Sequence, residues 1–337
     1  MTTDQIGLFN RKCVLQITSA AGETLDLSEF RIVFSIEAAD IDHPNTAVIR
    51  VYNLKPETMN KILLEFTTVT LQVGYQNAGP PAAIFAGSIK QFRKGKETAT
   101  RTYLDLLCSD ADVFYNQGFV STSLAKGNTP QQVIAAAVAA GNKAISNVSN
   151  GETSVVVRDD FDTLKTGIAN PRSKVLFGAA RDTIHTLAST LNVSWSIQQG
   201  VLQLIPVNRY LPGPPIQMST QTGVVGIPEA TNEGLKIQCF INPLLQVGGT
   251  IQLNADLINT FIGSSINLAQ GGSAGVSFRS RGKDIDYVAK TTFDGVYRIY
   301  VIEYEGDTRG QKWYANLTCL ATDKTTSTVL TNPLTGG

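Results

Sequence analysis

The sequence predicts a mainly β protein with an α+β middle domain. Three observations lead there. Apolar residues alternate with period two toward both ends of the chain, sustained helical periodicity sits between them, and Leu211-Pro212-Gly213-Pro214-Pro215 interrupts the chain where no element can continue. The expected division is a β-rich domain over 1–115, a mixed domain over 116–215, a second β domain over 216–325 and a flexible tail over 326–337.

In the first domain the candidate strands are Val14–Thr18, Ile32–Glu37, Val48–Tyr52, Val69–Tyr75, Ile84–Gln91 and Thr102–Cys108. One helix interrupts them. KPETMNKILLEF places Pro56 in the first turn, where its missing donor costs nothing, and sets Met59, Ile62, Leu63 and Phe66 on one face. Strands closed at one end by a single helix suggest a small barrel or sandwich. FRKGKETATR, with Arg93, Lys94, Lys96 and Arg101, reads as a solvated hairpin tip, with contact to an acidic partner or nucleic acid as the sharper alternative.

The middle domain opens its first helix at Thr129-Pro130-Gln131-Gln132, a cap, an initial proline and a glutamine three residues after the cap. A strand at Ser154–Val157 and the loop DDFDTLKTGIANP follow. A second helix is expected over Lys174–Leu191, from the stripe Leu176, Ala180, Ile184, Leu187, Leu191. SWSIQQGVLQLIP reads as a hairpin turning at Gln199-Gly200, with Trp195 and Ile197 facing Leu202 and Leu204.

In the last domain Leu235, Ile237, Cys239 and Ile241 alternate until Asn242-Pro243 stops the strand, and Ile251 and Leu253 resume beyond Gly248-Gly249. Val296–Tyr304 and Gln311–Leu320 form a long hairpin. Its first strand is apolar on both faces, which calls for packing on both sides. Residues 254–277 hold one charged side chain, Asp256, beside many aliphatic ones, and read either as a mobile loop or as a segment ordered by a partner, the Ile, Leu and Phe content favouring the second.

Charged residues make up 17% of the chain, with Lys plus Arg and Asp plus Glu equal at 28. That is below the roughly 25% of ordinary soluble domains, as for a protein whose surfaces are covered. A net charge of zero argues against a main role in gripping phosphate backbones. Cys13, Cys108, Cys239 and Cys319 lie in apolar runs spaced for neither a disulfide scaffold nor a thiolate metal site, and read as reduced core residues. The polar start and the lack of a long apolar run lead to an expectation of a soluble, cytosol-made protein without membrane insertion.

Catalytic signals are weak. Asp159, Asp160 and Asp162 lack the calcium-loop pattern, and Asp182 and His185 share a helix face without a nucleophile motif. His43 precedes Pro44 in a loop, two histidines do not suffice for a zinc site of the histidine type, and GGSAG has no phosphate-loop context. No catalytic, cofactor or metal residue is assigned.

The phrases RVYNLKPET, VTLQVGYQNAG…IFAGSIKQFRKGKE…TYLDLLCSDAD, FGAARDTIHTLASTLNVSWSIQQGVLQLIP and VVGIPEATNEGLKIQCFINPLLQVGGTIQL with DGVYRIYVIEYEGDTRGQKWYANLTC together resemble the baseplate hub proteins of contractile-tailed bacteriophages. The resemblance implies a non-enzymatic homotrimer in which each chain supplies two tail-tube-like β-barrels flanking a bracing domain, joining a sixfold tail tube to a threefold central spike. It further implies contacts with other inner baseplate proteins, phage DNA passing through a channel without specific binding, and a place in the virion after assembly in the host cytoplasm; with a net charge of zero, and because a basic wall would retard DNA, that channel is expected to be neutral to acidic. The rival readings are the hub of a related injection system, a baseplate cell-wall hydrolase using Asp159, Asp160 or Asp182, and a DNA-binding structural protein.

Overall fold

The computed structural model describes residues 10–76, 79–148, 151–166, 169–231, 234–253, 275–280, 283–288 and 296–321. The first strands are β1 (Arg11–Ser19), β2 (Thr24–Asp26), β3 (Ile32–Ala39) and β4 (Thr46–Tyr52). Helix α1 (Pro56–Glu65) then leads into β5 (Phe66–Tyr75), β6 (Ala82–Thr98) and β7 (Arg101–Ser109). Alternation decides their faces: Ile32, Phe34 and Ile36 on β3 and Val69, Leu71, Val73 and Tyr75 on β5 are buried. On α1, Ile62 is buried with Met59 and Leu63 packed beside it. The hairpin of β6 and β7 pairs as far as Thr98 with Arg101. The basic segment is therefore strand rather than tip, and Arg93, Lys94 and Lys96 stand exposed along β6.

The middle region holds α2 (Asp112–Gln117), β8 (Phe119–Leu124), α3 (Pro130–Val148), β9 (Val156–Arg158) and α4 (Thr163–Thr166). It continues with β10 (Lys174–Ala179), α5 (Ala180–Leu191), β11 (Val193–Gln198) and β12 (Val201–Pro206). At the start of α3 the Gln132 amide donates to Thr129 Oγ1 at 3.4 Å while the Thr129 amide donates to Gln132 Oε1 at 3.1 Å, a reciprocal cap. Thr129→Ala is expected to lower the unfolding free energy by about 1 kcal/mol, read from the denaturant midpoint.

The helix expected over 174–191 is divided. Residues 174–179 are β10, paired antiparallel with β8, and the helix begins at Ala180. Val175 and Phe177 favour an extended chain, and Gly178 at φ 140 lies outside the helical region. Leu176 faces the core from the strand, so a period-two contact extended the helical stripe by coincidence. The β11–β12 hairpin turns at Gln199 (φ 52) and Gly200 (φ 80), both left-handed as a two-residue turn of this kind requires, and pairs Trp195 with Leu204 and Ile197 with Leu202.

The last strands are β13 (Ile216–Met218), β14 (Val224–Thr231), β15 (Gly234–Phe240), β16 (Thr250–Leu253), β17 (Gly275–Ser280), β18 (Lys283–Val288), β19 (Val296–Asp307) and β20 (Trp313–Ala321). Among the described residues β17 and β18 pair only with each other. Residues 254–274 of the uncharged segment, with most of GGSAG, and the tail over 326–337 lie outside the described residues. No helix among the described residues is long and apolar enough to cross a membrane.

Among the described residues, strands from both halves of the chain enter one 13-stranded sheet, whose main order is β14-β15-β20-β19-β3-β4-β7-β6-β5-β1-β2. Where two barrels were expected, no ladder among the described residues closes either set of strands on itself; the sets instead join at β19 and β3. They share one core, in which Phe34 meets the Trp313 ring edge-on at 5.7 Å and the Tyr75 hydroxyl donates to the Ile241 carbonyl at 2.8 Å. A second core fills the α+β region, with Trp195 stacked on Tyr115.

The two-faced apolarity of β19 has a local cause. Its register with β20 shifts between Ile299 and Val301, so Tyr300 is bulged and the alternation changes parity. Tyr297 and Ile299 before the bulge, and Ile302 and Tyr304 after it, all enter the same core. A second packed layer on the far face is not needed to explain them.

That bulge belongs to an internal repeat. Strands β3-β4-β7-β6 and β14-β15-β20-β19 have the same neighbours in the same order, each built from two hairpins. β6 shifts register between Ile89 and Gln91, as β19 does between Ile299 and Val301. Ile89 pairs with Cys108 where Ile299 pairs with Cys319, and Gly95 with Tyr103 where Glu305 pairs with Tyr314. Cys108, Cys239 and Cys319 are buried, Cys13 is partly buried, and all four are free thiols. Burial pushes Cys13, Cys108 and Cys239 up to about 12 and raises Cys319 as well, so these residues act as small apolar packing.

Candidate assembly surface and the junction that positions it

The residues singled out for chemistry are engaged locally. Asp159 accepts the amides of Thr163 at 2.9 Å and Leu164 at 2.8 Å, Asp160 pairs with Arg158 at 2.6 Å, and Asp162 pairs with Lys165 at 2.7 Å. Asp182 lies 3.6 Å from Arg181 on the exposed side of α5. His185 reaches outward from α5: its Nδ1 lies 3.0 Å from Asp42 Oδ2, while His43 Nδ1 lies 3.0 Å from Asp42 Oδ1. These groups are largely exposed, and no cluster of metal-ligating side chains occurs among the described residues.

The polar centre of the molecule lies elsewhere, where the two sheet halves meet the α+β region. Arg298 from β19 and Asp40 from the end of β3 form an ion pair buried to 6% and 2% exposure. Arg298 also donates to the Arg209 carbonyl and to Ser194 Oγ, each at 3.0 Å. Asp40 receives Ser194 Oγ at 2.8 Å and Ser196 Oγ at 3.2 Å, both from β11. Beside it, Asn45 donates to the Ile197 carbonyl at 3.1 Å and Gln198 donates to the Ala39 carbonyl at 2.9 Å. Charges taken this far from water persist only when paired and hydrogen-bonded, so this junction holds three parts of the chain in one geometry. Nothing in the sequence pointed to it, because its members lie up to 258 residues apart.

Asp110 completes the junction. Buried at 3% exposure, it accepts the Gln199 amide at 2.6 Å from the β11–β12 turn. Burial pushes its carboxyl up to about 7, against the pull of the Gln199 amide and with a further push from Glu152. Between the ordinary value of 3.8 and about 7 the folded chain holds a proton that the unfolded chain has released. This site's contribution to stability is therefore full below the lower value and declines as pH rises to about 7, by on the order of 4 kcal/mol. Asp110→Asn is expected to flatten that part of the stability–pH curve, checked by urea unfolding of both proteins from pH 4 to 8.

The junction fixes an extended surface. Along β15, β20, β19, β3 and β4 the side chains not in the core face outward together: Lys236 and Gln238, Asn316 and Thr318, Glu303 and Glu305, Ser35 and Glu37, Thr46 and Val48. Gln238 donates to Asn316 at 3.0 Å, Lys312 pairs with Glu305 at 3.0 Å, and Arg50 pairs with Asp105 at 2.6 Å while covering the Tyr103 ring at 4.0 Å. At the seam Glu303 lies directly opposite Glu37, both exposed. Like charges in that relation oppose pairing, so this placement does not serve stability. The surface is broad, polar and acidic at its middle, without the concave convergence of groups that catalysis needs.

Residues 12–265 match the protein family described as Baseplate hub gp41. Comparison with curated proteins gives no match. Among solved structures, the chain is similar to the 43 kDa tail protein of prophage MuSo2 from Shewanella oneidensis, at 9% identity and a TM-score of 0.53, over 92% of this chain and 98% of that one. It is also similar to the tail protein from Neisseria meningitidis MC58, at 12% identity and a TM-score of 0.53, over 94% and 97% of the two chains. At such identities the likeness is one of fold.

Proposed function

Since this chain belongs to the Baseplate hub gp41 family, we propose that three copies surround a hollow axis and join the sixfold tail tube to the threefold central spike. The protein is a structural, non-enzymatic baseplate-hub protein of the kind shared by phage tails and related injection systems. The threefold and its consequences are our reading. Its main support is the internal repeat: two four-stranded units of one topology, already joined side by side in a chain, become six around a threefold. The units at 1–115 and 216–325 would form the ring as tube-like walls, and the α+β region over 116–215 would brace them from the junction at Asp40 and Arg298.

The outward face through Glu37, Glu303 and Glu305 is then the wall of the bore. Each phosphate neutralised on a basic wall would add affinity and slow the passage of DNA. A seam of carboxylates keeps DNA unbound while it moves, which gives Glu303 opposite Glu37 a purpose that stability does not. The role is mechanical: tube initiation on one side, spike attachment on the other, and transmission when the sheath contracts. Coexpression with tube and spike proteins is expected to give a complex containing three copies of this chain, by native mass, and a hollow threefold ring by negative-stain imaging. A single copy in a complex containing both partners would overturn the proposal.

A further inference from the structure

The seam between the repeats runs from Val301 opposite Ala39, beside the Asp40–Arg298 junction, to Asp307 opposite Val33. At that second end the Thr308 amide donates to the Ile32 carbonyl and the Ile32 amide to Thr308 Oγ1, each at 3.0 Å. Beyond it lies a cleft of about 310 Å³, whose lining includes Arg31, Tyr52, Asn53, Arg101, Arg309 and Glu29. Three guanidiniums there face one carboxylate. Local contacts fix the cleft in shape. Arg31 gives Nε and Nη2 to the buried Asp307 at 3.2 and 2.7 Å and lies over the Tyr52 ring at 4.8 Å, leaving Nη1 unspent. Asp307 is held in turn by the Arg309 amide at 3.0 Å. Asn53, left-handed at φ 57, exchanges hydrogen bonds with Thr102 at 2.9 and 3.1 Å and so places Arg101 at the rim. Arg309 spends Nη2 on the Glu29 carbonyl at 3.0 Å, and Arg101 Nη1 stands 3.6 Å from Glu97, too far for a hydrogen bond, so both keep donors for a ligand.

We propose that this cleft binds a carboxylate carried by an acidic segment of the threefold partner, one segment for each chain. The inference rests on the threefold reading above and assigns that partner a binding site. The repeat decides the number. Through the ladders that align the two repeats, Arg31, Tyr52 and Arg101 correspond to Gly223, Phe240 and Lys312. No guanidinium stands at those positions, so the cleft is built once per chain and occurs three times around a ring of six walls. A sixfold partner would bring six equal surfaces to three sites. A threefold partner matches them one to one.

The chemistry selects a carboxylate. A guanidinium presents a planar fork that matches a carboxylate through two parallel hydrogen bonds, and a fork held beforehand by Asp307 and Tyr52 loses little freedom on binding. A DNA backbone is the poorer match. Gripping it takes an extended basic track, whereas here Glu29 lines the cleft and Glu97 flanks it, so successive phosphates would meet repulsion beside the one patch that attracts them. Strand alternation puts Arg31 on the outward face with Ser35 and Glu37, at the end of the seam remote from the α+β region. The site therefore lies at one mouth of the proposed bore.

The test is the full chain carrying Arg101→Glu and Arg309→Glu together, two exposed changes that are expected to leave the urea midpoint in place. Its affinity for the spike protein is expected to fall about tenfold, the scale of a lost hydrogen bond between charged groups, while affinity for the tube protein stays the same. A second measurement does not depend on that variant. Arg309→Lys supplies an amine, which a water-soluble carbodiimide joins to a nearby carboxylate as an amide, the reagent taking up the released water as its urea. Peptide mapping of the hub–spike complex is expected to find position 309 linked to an acidic residue of the spike. Unchanged spike affinity together with no such link overturns the site. A loss confined to tube binding, or to retention on duplex DNA, overturns the partner assigned to it. Each of these results leaves a trimer by native mass standing, whereas single copies in the presence of both partners overturn the threefold reading and the assignment that rests on it.

Discussion

Arg298→Ala is expected to lower the unfolding free energy by about 3–5 kcal/mol, because it leaves the Asp40 carboxylate buried beside β11 without its counter-charge. The comparison that isolates the cause is Arg298→Met combined with Asp40→Leu. Removing both charges and retaining apolar volume is expected to cost much less than the single change, since no ion is then left stranded. Equilibrium urea unfolding of the single and double variants checks this. A functional consequence accompanies it: Arg298 ties β19 to the 194–209 stretch of the α+β region, so hub assembly is expected to fall in the single variant even at temperatures where it remains folded.

Phe34→Ala is expected to cost about 3–5 kcal/mol, at the scale of large-to-small changes in packed cores. Phe34 is buried on β3 and fills the seam between the two repeats, with its ring edge-on to Trp313. Gly306 lies opposite it across the ladder, where a Cβ would come within 2.2 Å of the Phe34 ring. The two positions are therefore coupled. Gly306→Ala alone is expected to destabilise by about 1–3 kcal/mol through overcrowding, and to cost less in a Phe34→Leu background. Strict additivity of Gly306→Ala with Phe34→Leu in denaturant titrations would contradict this account of the seam.

Much of the fold was readable from local pattern. The strands of the first half, the capping box at Thr129 and the turn at Gln199-Gly200 each follow from a short-range requirement, and each forms. Patterns that depend on distant partners carry no such local mark. Leu176 continued a helical stripe because the core reached it equally well from a strand, and the β10 ladder that decides the matter is made with residues some fifty positions earlier. The apolar faces of β19 implied a second packing layer only because a one-residue bulge does not announce itself in the alternation. The junction of Asp40, Arg298, Ser194 and Ser196 left no sequence signal at all: each residue is ordinary in its own segment, and only the fold assembles them. The resemblance to phage hub proteins supplied function where the residues alone did not, since a mechanical role leaves no catalytic constellation to find.

If three copies close as proposed, their shared sheet forms the wall of an open bore, which a cryo-electron microscopy map of the hub assembled with its tube and spike would display. Three copies arranged as six equivalent four-stranded walls are expected, with Glu37, Glu303 and Glu305 lining the bore. A map in which that face points away from the axis, or in which the copies enclose no continuous opening, would contradict it.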